Sequence, residues 1–84
     1  MLFRSEASLT SLNAFPNPSN GSFELKGITV QNANVKVTDI TGRVVMNENK
    51  NLPAMLDLSN EAKGVYILEV SKGDQKQMIR LMVK

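Results

Sequence analysis

The chain has 84 residues, ten basic and eight acidic side chains, and neither cysteine nor histidine, which fits one domain. The absences exclude thiol catalysis, disulfides and zinc–thiolate sites, and they remove the commonest general base and metal ligand. The net charge of +2 is spread over interleaved signs without a basic stripe and only 5% of residues are aromatic, so nucleic-acid binding is disfavoured.

Residues 1–8 carry no clear pattern and no long apolar region. They read as a linker remnant rather than a signal peptide, ahead of one domain over residues 9–84. If the domain is exported, its signal peptide is expected upstream. No apolar run approaches the roughly 18 residues of a membrane-spanning helix.

Beyond the linker, apolar residues recur with a period close to two, and turn residues punctuate them every 8 to 12 positions, roughly. Leu9, Leu12 and Phe15 suggest a loosely patterned first strand. Pro16, Asn17, Pro18, Ser19, Asn20 and Gly21 follow as a tight loop, because two prolines remove ladder donors and Asn-Gly tolerates positive φ. Within it, Asn17 and Asn20 are expected to satisfy backbone groups of their own loop. Residues 22–26 alternate with Phe23 and Leu25 on one face. Gly27 breaks the run, and Ile28 with Val30 resumes it. Residues 32–34 (Asn-Ala-Asn) read as a turn.

Val35 and Val37 then share a face, and residues 39–43 (Asp-Ile-Thr-Gly-Arg) signal a hairpin. There Asp39 can accept from turn amides and Gly42 can take a left-handed conformation. The return strand spans residues 43–48, and the polar stretch 47–53, with its proline, reads as a loop. Leu56 and Leu58 mark a short strand, and residues 59–64 read as one helical turn or a loop crossing between sheets. Residues 65–70 give the clearest strand, with Tyr66, Leu68 and Val70 opposite Glu69. A turn at residues 72–75 contains Gly73, and residues 77–83 close the chain with Ile79, Leu81 and Val83 on one face. The pattern predicts an all-β, immunoglobulin-like antiparallel β-sandwich of about seven short strands.

Candidate chemistry is sparse. Asp39, Asp57 and Glu69 fall in different strands or turns, and nothing predicts the cleft that a catalytic carboxylate pair needs. The chain is therefore expected to be no enzyme, with no cofactor and no small-molecule substrate. Asp39 and Asp57 could contribute to a calcium site with loop carbonyls, but no D-x-D-x-D cluster accompanies them, so no metal is assigned. Residues 20–22 fit a glycosylation sequon, a short pattern of low specificity. The last strand is more distinctive. Met78, Arg80, Met82 and Lys84 lie opposite its apolar face and interleave methionines with cations. That row is either a solvated strand face or a docking strand, and an open edge there could also support a dimer.

Four blocks then stand in order: Phe15-Pro16-Asn17-Pro18 with Gly21 and Phe23; residues 35–45 (Val-Lys-Val-Thr-Asp-Ile-Thr-Gly-Arg-Val-Val); Leu56-Asp57-Leu58-Ser59; and residues 64–70 (Gly-Val-Tyr-Ile-Leu-Glu-Val). Gly73 and the closing run 79–84 complete the set, the last at the end of the chain. This order and spacing resembles the type A C-terminal sorting domain of cargo proteins of the Bacteroidetes type IX (Por) secretion system. Phe15 departs from the commoner tyrosine, and residues 60–63 are more polar than usual before Gly64.

The resemblance implies a cargo that reaches the periplasm by its own signal and is then directed across the outer membrane by this domain. A surface sortase then cuts upstream of Leu9, often joining the cargo to anionic lipopolysaccharide. The implied partners are translocon and sortase proteins. Recognition is expected to centre on Gly64, Tyr66, Gly73, Lys76, Met78, Arg80, Met82, Val83 and Lys84. Pro16, Asn17, Pro18, Gly21, Asp39 and Gly42 are expected to be structural. The alternative is a resident accessory module that binds glycan or another domain.

Overall fold

The computed structural model describes residues 9–84; the expected linker lies outside the described residues. A short 3₁₀ turn (Leu9–Ser11) leads into β1 (Asn13–Phe15), followed by β2 (Ser22–Asp39), β3 (Val44–Asp57), β4 (Gly64–Lys72) and β5 (Gln75–Val83). All strand pairs are antiparallel. The all-β antiparallel expectation holds, but among the described residues five strands replace the expected seven or so.

The count differs because two strands are long. At 18 and 14 residues, β2 and β3 far exceed the usual five or six. The break at Gly27 and the turn at 32–34 are irregularities inside β2. Gly27 has φ 114°, Asn32 has φ 56°, and the β2–β3 register shifts between Leu25 and Val30 and again before Ala33. Bulges bend a strand without ending it. The expected loop 47–53 is likewise strand, with Asn49 opposite Asn34 and Lys50 opposite Ala33. Pro53 sits in the irregular stretch of β3, which pairs only with β2 among the described residues; that is where a strand tolerates a missing N–H.

The bent ribbon brings both of its halves to one core. The first half of β2 pairs with β1 and the end of β3; its second half pairs with β4, which pairs with β5. Phe23, Leu25 and Leu56 from one half meet Val35, Val37, Leu68 and Leu81 from the other, all fully buried.

The first expected strand is also revised. Leu9 and Leu12 are buried, but through the 3₁₀ turn, whose three-residue repeat their spacing matches. Phe15 points outward at 46% exposure, with the Lys26 ammonium 5.8 Å from its ring centroid. The hairpins at 39–43 and 72–75 form where expected, and Tyr66, Leu68, Val70, Leu81 and Val83 face inward.

Candidate functional site

Strict alternation on β4 and β5 sends Tyr66, Leu68, Val70, Leu81 and Val83 into the core, so the residues between them form an outer face. Ile67 lies opposite Arg80, Glu69 opposite Met78, and Val65 opposite Met82. Thr38 and Lys36 of β2 extend the rows beside Ile67 and Glu69. Met78 is 59% exposed and Met82 38%, while Val65 and Ile67 are half-buried between them. Glu69 sits between Lys76 at 3.3 Å and Lys36 at 3.8 Å. Lys36, Lys76, Arg80 and Lys84 against Glu69 give four cations to one anion on this side, a net +3 where the entire chain carries +2. The positive charge of the molecule is therefore concentrated on this face.

The edge of β5 is held by the proline loop. The Asn17 amide donates through Nδ2 to the Arg80 carbonyl at 2.7 Å, and its Oδ1 accepts the Met82 amide at 3.0 Å. Two residues on, the Ser19 amide donates to the Met82 carbonyl (2.9 Å), and the Lys84 amide donates to the Ser19 carbonyl (2.8 Å). The latter two bonds form a parallel bridge between Ser19 and Val83. Pro16 and Pro18 have no N–H to offer a ladder. A primary amide side chain carries one donor and one acceptor like a peptide unit, and Asn17 supplies that unit.

Ser19 is buried, and its hydroxyl donates to the Ser22 carbonyl (2.6 Å) and accepts the Gly21 amide (3.0 Å), fixing the loop. Two expectations are corrected here. Asn17 serves the terminal strand rather than its own loop, and the outer edge of β5 is covered from Arg80 to Lys84 rather than free. Asn17, Pro18, Arg80 and Met82 line a groove of about 220 Å³ at this seam.

The turn residues are structural. Asp39 Oδ1 accepts the Thr41 hydroxyl (2.6 Å), the Thr41 amide (2.9 Å) and the Arg43 amide (3.0 Å), and Oδ2 accepts Arg43 Nε at 3.1 Å. These donors, the Thr41 hydroxyl foremost, lower its pKa to about 2. The Ser59 hydroxyl, then its amide, lowers that of Asp57. Both carboxylates thus serve their own turns, and the described residues contain no group of three or more potential metal-binding side chains. Gly42 adopts the expected left-handed φ of 92°, and Gly64 and Gly73 also have positive φ. Tyr66 is buried, and its hydroxyl donates to the Ala62 carbonyl at the rim.

The expected recognition residues therefore share the β4–β5 hairpin: Gly64 opens β4, Gly73 lies in the turn, and Lys76, Met78, Arg80, Met82 and Lys84 line the outward side of β5 and its end. Tyr66 and Val83 are the exceptions, both buried in the core. Sequence reasoning missed Ser19 and the reach of Asn17, because contacts across more than 60 residues leave no local signal.

A search of curated proteins gives no match. Among protein-family models, residues 13–84, from β1 through β5, match the secretion system C-terminal sorting domain. The chain belongs to the family of secretion system C-terminal sorting domains, the C-terminal signals for type IX secretion, which engage the secretion machinery and take their cargo across the outer membrane to the cell surface or beyond.

Proposed function

We propose that this domain is a removable, non-enzymatic address: it accompanies its cargo through the periplasm, is read on its β4–β5 end, and is cut away by a sortase upstream of Leu9. The observation that carries this reading is the state of β5. One face of the strand is built into the core, part of its edge is held by the proline loop, and its other face presents Met78, Arg80, Met82 and Lys84 to solvent. A rigid, exposed row of adaptable and charged side chains suits recognition by a folded partner. We also read the curled sheet as a reduced immunoglobulin-like sandwich, since its two halves face each other across one core. Self-association would use the outer edge of β3, or β5 before Arg80, because the proline loop occupies the rest of the β5 edge.

Deleting residues 64–84 from the parent cargo is expected to strand it inside the cell; secretion of the deleted form would refute the reading. Mass spectrometry of the secreted cargo separates removal from residence. A mature protein ending before Leu9 supports the address, whereas peptides from residues 9–84 on the secreted protein support a resident binding module. The exposed Phe15 beside Lys26 is the feature that such a module would use.

A further inference from the structure

We infer that the seam between the proline loop and β5 is a composite docking groove for an acidic, partly apolar segment of a protein in the secretion machinery. This inference rests on the sorting reading and adds the place and chemistry of the contact. The groove of about 220 Å³ is lined by Asn17, Pro18, Arg80 and Met82, so its walls come from opposite ends of the described chain. The Asn17 bonds to the Arg80 carbonyl and the Met82 amide, with the Ser19 bridge beside them, hold these walls together.

Its chemistry is mixed. Pro18 and Met82 supply apolar walls, and Met82 is a flexible side chain that adapts to a partner. Arg80 supplies a guanidinium, is exposed, and has no carboxylate within ion-pair distance among the described residues. A planar donor fork of this kind is matched by a carboxylate. The surrounding face carries a net +3, so the local field attracts an acidic surface and repels a basic one. A second copy of this domain would bring the same cations together, which disfavours pairing through this face. The apolar walls favour a peptide segment over a bare anionic headgroup.

The test is charge reversal in the parent cargo. Arg80→Glu is expected to reduce secretion at least tenfold without lowering the thermal midpoint of the domain, because the side chain is exposed. Arg80→Lys should retain most secretion, and Met82→Ala should lose part of it. Lys26→Glu, the same reversal at a cation of β2 outside the groove lining, should be secreted normally. Secretion of the Arg80→Glu cargo at parental levels would overturn the inference. So would an equal block by Lys26→Glu, which would assign the effect to net charge. Flotation of the cargo with phosphatidylglycerol vesicles, lost in Arg80→Glu, would assign the groove to lipid and also overturn it. If Arg80→Glu unfolds the domain, Arg80→Gln replaces it, and parental secretion of a folded Arg80→Gln overturns the inference equally. If removing residues 64–84 blocks secretion and Arg80→Glu does not, the groove fails and the sorting reading stands.

Discussion

At the scale of single residues, two side chains do what backbone usually does. Asn17 substitutes for a peptide unit at the edge of β5, between two prolines that cannot donate. Replacing it with Leu removes both bonds; replacing it with Asp keeps the acceptor for Met82 but sets an anion against the Arg80 carbonyl. A net hydrogen bond contributes about 0.5–1.5 kcal/mol, so Asn17→Leu should cost about 1–3 kcal/mol. The cost should be local: amide exchange at Met82 should accelerate while exchange at Leu68 keeps pace with global unfolding. Equal acceleration at both sites would show that Asn17 supports the entire fold rather than this edge.

Asp39 organises the β2–β3 turn by accepting from Thr41 and Arg43. Its folded pKa, about 2, lies below the ordinary 3.8. A depressed carboxylate pKa contributes stability above the unfolded value and loses it as pH falls through the folded one. The turn should therefore be fully supported above about pH 4 and weaken from there towards about pH 2. Following the Asp39 carboxyl by NMR checks the midpoint, and Asp39→Asn should flatten this part of the acid dependence. A midpoint near 4 would mean that the turn bonds do not form in solution.

At the scale of elements, the chain was legible wherever the structure is decided locally. The Asp39–Arg43 turn carries its own hydrogen bonds within five residues, and β4 and β5 alternate without interruption, so periodicity placed their inward and outward faces. The long strands were not legible. Gly27 and Asn32 mark a turn and a bulge with the same residue types, and only the partner strand distinguishes them. The polar residues 47–51 read as loop because an edge strand with solvent on its side chains needs no apolar pattern. Gly27 shows what the sequence withholds: a Cβ built there would meet the Ser11 carbonyl oxygen at 2.2 Å, whereas one at Gly73 meets nothing within 4 Å. Both have positive φ, so Ala at either is strained by about 1–2 kcal/mol. Gly27→Ala must also displace backbone, so its urea midpoint should fall well below that of Gly73→Ala. Equal midpoints would mean that the Leu9–Ser11 turn is not packed on β2.

For the molecule as a whole, the decisive feature is closure. The bent β2–β3 ribbon leaves the loop after β1 beside the end of β5, and the Ser19–Val83 bridge joins them. Residues 80–84 therefore contribute more than a tail. Leu81 and Val83 are buried, and each such side chain stabilises by about 1.5–3 kcal/mol. Four edge hydrogen bonds add about 0.5–1.5 kcal/mol apiece. That total rivals the roughly 5–15 kcal/mol available to a small domain. Removing residues 80–84 should thus abolish the cooperative unfolding transition and render the remaining strands protease-sensitive, instead of fraying one end. A truncated domain that still melts cooperatively near the parental midpoint would show that the ribbon and β4 suffice. If the transition is lost as expected, a secretion defect caused by truncation combines lost folding with lost recognition. Only exposed substitutions such as Arg80→Glu, which leave the closure intact, then isolate what the machinery reads.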